Sequence, residues 1–149
     1  MCIRDSYCDS CRTAGLAFPS SPDIPSVVGD DGGTDLVLYR KDRVGPVRNV
    51  AVLLEHRLKP DSLTRRMVAG CCGTPMFLEF TKGHWLSVYA GRLPQDLPPA
   101  QMRVMTADRP AGPPLPQDVP AYPNHAPQFM VKLLASWAAM GFRSPKVGW

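Results

Sequence analysis

A mainly β domain closed by one C-terminal helix is the fold class this sequence predicts, and three observations predict it. Short runs rich in Val, Leu, Phe and Tyr follow one another from Thr34 to about Leu93, with turn residues between them. Ten of the seventeen prolines then fall between Pro94 and Pro127, where the missing N–H donors exclude regular ladders. Beyond them, APQFMVKLLASWAAMGF sets Met130, Leu133, Leu134, Trp137 and Met140 at helical spacing on one face, with Phe129 close beside it.

The elements follow in chain order. The early segment RTAGLAFPSSP reads as a poor helix start, because a glycine and two prolines interrupt it. FPSSPDIPSVVGDDGG, residues 18 to 33, is turn-rich and expected to be irregular, and its closing Gly32-Gly33 pair is free to take positive φ. Five strand-like runs come next: DLVLYRKDRV, VAVLLEHRLK, RRMVAG, PMFLEF and HWLSVYAG. Gly45-Pro46, Pro60-Asp61, Gly73 and Lys82-Gly83 punctuate them as turns. Strands this short and this close in sequence suggest antiparallel sheets, sandwich-like or tent-like. Residues 94–127 read as a Pro-rich strap or linker, and residues 128–142 as a helix that docks its apolar stripe on the sheet, with Gly141 as its stop.

Composition narrows the function classes. A net charge of +4 is too diffuse for a nucleic-acid footprint, and no row of aromatics alternates with Arg40, Lys41, Arg43, Arg48, Arg57, Arg65 and Arg66 as a base-stacking platform requires. Those residues read as a solvated strand face. No apolar run is long enough to span a bilayer and no secretion signal opens the chain, which points to a cytoplasmic protein with no membrane partner. His56, His84 and His125 stand singly on strands or beside prolines, and none has a partner in sequence that makes it a catalytic group. Thr34 and Asp35 follow the double glycine, where an Asp side chain commonly bonds nearby amides.

The five cysteines carry the chemistry. Cys8 and Cys11 form a C-x-x-C, Cys71 and Cys72 are adjacent, and with no oxidising compartment indicated, metal ligation outranks a disulfide framework. A redox C-x-x-C needs a strand before it and a helix after it, and the segment that follows argues against the helix, so zinc is preferred. Cys71 and Cys72 would point to opposite faces of a strand, and both meet one ion only if Gly70 and Gly73 bend the chain into a knuckle.

YCDSCR at residues 7–12, GGTD at 32–35, RRMVAGCCGTPM and HWLSVYAG together resemble the glutathione-dependent formaldehyde-activating enzyme and centromere protein V family, closest to an uncharacterised branch of it. The resemblance spans residues 7–93 and implies a β-tent of antiparallel strands with zinc knuckles. It implies Zn2+ held by an early C-x-C, a C-x-C-x-x-C and a late C-x-x-C-G-T-P. Of these, Cys8 and Cys11 match the middle motif and Cys72 the late one, with Cys71 as a displaced substitute. Ser6 and Ala69 stand where ligands would fall, and the early C-x-C is absent. The opening MCIRDS looks like a translated sequencing adapter of the kind that recurs at the ends of metagenomic fragments. Residues 1–6, Cys2 included, are therefore set aside as an artefact replacing native N-terminal sequence.

The family further implies a carbon–sulfur lyase in which a thiol such as glutathione adds to formaldehyde or another small aldehyde. No residue of this chain is singled out as catalytic. The competing expectation is a non-catalytic, zinc-stabilised binding module.

Overall fold

The computed structural model describes residues 2–45, 52–94 and 96–148. The expected Gly45-Pro46 turn, the first residues of the run that begins at Val50, and Arg48 lie wholly or partly outside these. The described chain is mainly β: strands β1 (Cys2–Ser6), β2 (Thr34–Arg40), β3 (Leu53–His56), β4 (Thr64–Ala69), β5 (Pro75–Phe80), β6 (Trp85–Tyr89) and β7 (Arg103–Val104), with helices α1 (Asp9–Ala17) and α2 (Pro127–Ala138).

The seven strands form one mixed sheet in the order β3-β4-β5-β6-β2-β1-β7. All neighbours run antiparallel except β1 and β7, which pair in parallel. Each of the five expected runs supplies one of the strands β2 to β6. The six opening residues add a further one: Cys2–Ser6 pairs with Thr34–Leu38 on one side and with Arg103 and Val104 on the other. The register of β4 against β5 shifts between Met67 and Val68, opposite Pro75, which has no N–H to offer the ladder. The Pro-rich stretch contributes the two-residue β7 and a parallel bridge from Arg103 to Ala121.

Two expectations are corrected. The segment after Cys8 is a helix. Its glycine is tolerated because Gly15 lies so close to Val28 that a Cβ would sit 2.4 Å from a methyl carbon, and its prolines fall after the last turn. In α2 the expected stripe is rotated in part: Phe129 and Leu133 pack inward and Met140 is buried just past the helix, while Met130, Leu134 and Trp137 are 49%, 58% and 36% exposed. His84 fixes that rotation, since its Nε2 lies 2.9 Å from both the Leu133 carbonyl and the Ser136 hydroxyl. Among the described residues, no helix is long and apolar enough to cross a membrane.

The basic residues also depart from a uniformly solvated face. Lys41 and Arg66 are 3% and 1% exposed. Lys41 pairs with the buried Glu79 carboxylate, which also accepts from Arg65 Nε at 2.7 Å.

Candidate functional site

Strand β1 delivers the chain to Cys8, which is extended at φ −61° and ψ 139° and caps α1. The Cys8 carbonyl accepts from the Cys11 amide at 3.0 Å and the Arg12 amide at 3.1 Å, so the two cysteines share the first turn. Cys8 is half-buried at the lip, while Cys11 is buried beneath it in the core with Leu36, Leu78 and Tyr89.

The two sulfurs are electrically unlike. The Cys11 thiol donates to Cys8 and, against the penalty of burial, draws its pKa down to about 5, with the Ser10 and Ser6 hydroxyls assisting. Cys11 is pushed well above the ordinary thiol range, first by that same bond to Cys8 and then by burial. The outer sulfur is therefore a thiolate at neutral pH and the inner one holds the proton.

Buried cations accompany them. Arg66 reaches from β4 to α1, where its Nη2 donates at 2.8 Å to the carbonyl of Ser10, one of the two residues between the cysteines. Its Nε and Nη1 are buried without a hydrogen-bond partner among the described residues, as are Nε and Nη1 of Arg4. Arg4 lies with its guanidinium carbon 4.6 Å from the Phe129 ring centroid. Burial lowers its pKa, and Cys11, Cys8 and Cys2 act electrostatically in the other direction. Tyr89, pushed up to about 12 chiefly by burial, feels both Arg66 and Cys11, and its hydroxyl is likewise unpartnered. Sulfur is the counter-charge these guanidiniums are given.

Cys71 and Cys72 lie elsewhere. The chain turns from β4 to β5 with the Gly73 amide bonded to the Ala69 carbonyl at 2.7 Å and Gly73 at φ +74°. This is the bend on which a shared site depends, and it brings the two exposed sulfurs to 3.6 Å. Cys72 also meets the Thr74 hydroxyl at 3.0 Å, the first cause of its lowered pKa. The turn abuts the far end of α1, because a Cβ on Gly73 would lie 2.6 Å from Pro19. A helix of nine residues is roughly 14 Å long. The two cysteine pairs are thus separate.

These donors complete no zinc shell. A tetrahedral ion takes four ligands, and no group of three or more His, Cys, Asp and Glu side chains converges among the described residues. At Cys8 and Cys11 two thiolates would already be balanced by two guanidiniums, so a dication there calls for two further anionic donors.

Sequence reasoning missed Arg66 and Tyr89 as part of this environment. Strand phase gave no signal for Arg66, because Arg66, Met67 and Val68 are all buried on β4. Thr34 is buried at the start of β2, and the side chain that bonds the turn amide is Asp31 rather than Asp35. Asp31 accepts from the Gly33 N–H at 3.0 Å and from the Tyr7 hydroxyl at 2.6 Å. Asp31 and Asp35 line a 230 Å³ cleft with Gly33, Tyr89 and Arg92. Compared with protein-family models and with curated proteins, the chain matches none.

Proposed function

We propose that this chain is a zinc-dependent carbon–sulfur lyase-like protein of the glutathione-dependent formaldehyde-activating type, with sulfur chemistry centred on Cys8 and a small thiol or aldehyde as substrate. The carrying observation is the unequal cysteine pair beside two buried guanidiniums, an environment that stabilises deprotonated sulfur. The motifs YCDSCR and CCGTP give the reading its family, and the bent turn at Cys71 and Cys72 supports a second place where thiolates can share an ion.

In this reading Cys8 and Cys11 would provide two zinc donors, and the remaining positions would be filled by external ligands such as an incoming thiolate. A zinc held by Cys8 and Cys11 would supply the positive charge that favours an incoming thiol as thiolate, the form able to add to an aldehyde carbon. The chain's own residues set the frame for that chemistry. Cys8 faces outward, Cys11 holds it from below, Arg66 fixes the first turn of α1 through Ser10, and the nearby cations favour anionic partners. A cytoplasmic setting, which keeps thiols reduced, goes with this reading.

Elemental analysis of the full chain, purified without chelator, tests it, together with cobalt substitution and the rate of hydroxymethyl-thioether formation from glutathione and formaldehyde. Bound zinc, sulfur-to-cobalt charge-transfer bands lost in Cys8→Ser and Cys11→Ser, and a rate above the uncatalysed one are expected. A metal-free chain with no acceleration refutes the reading, while metal without acceleration supports the non-catalytic binding module instead.

A further inference from the structure

We propose that Cys8 and Cys11 also form a reversible dithiol–disulfide couple that reduces small disulfides. The strand-then-helix context that such a pair requires is present: β1 ends at Ser6, Cys8 caps α1, and Cys11 lies within the first helical turn. The Cys11 amide donates to the Cys8 carbonyl at 3.0 Å, so the two side chains leave the same turn three residues apart, a spacing that an internal disulfide can close. Their exposures divide the labour, because half-buried Cys8 is open to attack a partner and Cys11, 8% exposed, can only resolve what Cys8 has captured.

A second observation stands apart from the cysteines. Arg66, 1% exposed, is anchored on Ser10 between them and has two further N–H-bearing nitrogens without partners among the described residues. A buried cation with unused donors stabilises anionic sulfur, which is the reduced state of the pair and the leaving state in exchange.

The exchange balances as follows. The Cys8 thiolate attacks one sulfur of a disulfide R–S–S–R, the substrate S–S bond breaks as the Cys8–S–S–R bond forms, and RS⁻ departs and takes a proton from water. Cys11 gives its proton to water and attacks the Cys8 sulfur, forming the Cys8–Cys11 bond and expelling the second RS⁻. Two electrons pass from the cysteine pair to the low-molecular-weight disulfide, which is the oxidant. Reverse exchange with a monothiol pool restores the dithiol.

The test equilibrates the full chain in buffers of glutathione and glutathione disulfide, quenches with an alkylating agent and maps each cysteine by peptide mass. The metal content of the same sample is measured separately. Cys8 and Cys11 are expected to lose alkylation together as one internal disulfide. In Cys11→Ser, Cys8 is expected to accumulate a glutathione adduct that the wild-type chain resolves. Arg66→Met should raise the ratio [GSH]²/[GSSG] at half-oxidation by on the order of tenfold, about 30 mV toward more negative potential, with Arg66→Lys restoring much of it. Mapping and adduct trapping do not depend on the Arg66 variants folding. A pair that stays reduced throughout, or a persistent adduct on Cys8 in the wild-type chain with Cys11 still a free thiol, overturns the proposal. The zinc reading fails on a different measurement, the absence of metal.

Discussion

Replacing Arg66 with methionine separates the two possible charge states of the cysteine pair by the sign of a stability change. Methionine approximates the shape of the Arg stem without the guanidinium, and the site is 1% exposed, so no solvent takes the place of the lost group. If the sulfurs beneath it are anionic, the substitution leaves buried negative charge unpaired, a loss of about 3–5 kcal/mol for a broken buried pair. It also removes the 2.8 Å bond to the Ser10 carbonyl at the start of α1. For a chain of this size that is a fall in Tm of roughly 6–20 °C. If both thiols are protonated, the same change removes an uncompensated buried charge with two orphan nitrogens, and stability is unchanged or raised. Urea unfolding followed by circular dichroism at pH 8 and pH 4 reads the difference. Cys8 has a folded pKa of about 5 against 9.0 for a free thiol, so its contribution is fully present above about pH 9 and lost as pH falls through 5. A large penalty at pH 8 that shrinks at pH 4 is expected. A variant as stable as the parent at pH 8 refutes the thiolate assignment.

Three further predictions concern the framework and the sulfurs. Glu79→Gln should cost about 3–5 kcal/mol in urea unfolding, because it strands the buried Lys41 ammonium. The double change Lys41→Met with Glu79→Met should recover most of that, and a single variant within 1 kcal/mol of the parent would show the pair to be dispensable. Gly73→Ala should destabilise by about 1–3 kcal/mol and raise iodoacetamide labelling of Cys72, since the left-handed backbone and the contact with Pro19 both resist a Cβ. Unchanged stability would contradict the placement of this turn. Between pH 5 and pH 8, peptide mapping should find Cys8 alkylated ahead of Cys71, whose pKa is raised first by its bond to Cys72; equal rates at pH 6 would count against the inequality of the sulfurs.

The strands were legible because period and punctuation coincide with them. DLVLYR, LLEH, RRMVA, PMFLEF and WLSVY all lie within the expected runs, and their turns carry Gly, Pro or Asp. The first helix was not, because its glycine scores against a helix by propensity, while its actual role is to let α1 approach Val27 and Val28, a contact known only from tertiary structure. The second helix was legible in place but only partly in rotation, since Leu133 of the expected stripe and Phe129 beside it do pack inward. Met130, Leu134 and Trp137 are as apolar as Phe129 and Leu133, and what selects the buried face is a polar bond from His84, which hydrophobic periodicity does not register.

The cysteines illustrate the same divide at the site. Their spacing announced two clusters, and the structure keeps two clusters, but charge is what gives each its chemistry. Spacing alone does not set a sulfur pKa: the bond between the two cysteines is the first cause of the fall at Cys8 and of the rise at Cys11, and Arg66 and Arg4 oppose that rise. Here the sources of positive charge are Arg4 on β1 and Arg66 on β4, 4 and 55 residues from Cys8 and Cys11 respectively, brought beside them only by sheet order and the packing of α1. That arrangement offsets the anionic Cys8 sulfur without a metal and leaves a dication in need of further anionic donors. An incoming thiolate would supply one such donor to a zinc site, and in the dithiol reaction the same attraction stabilises the departing thiolate. Both readings of the site therefore follow from one electrostatic feature, and Arg66 is the side chain at which each can be weakened without touching sulfur.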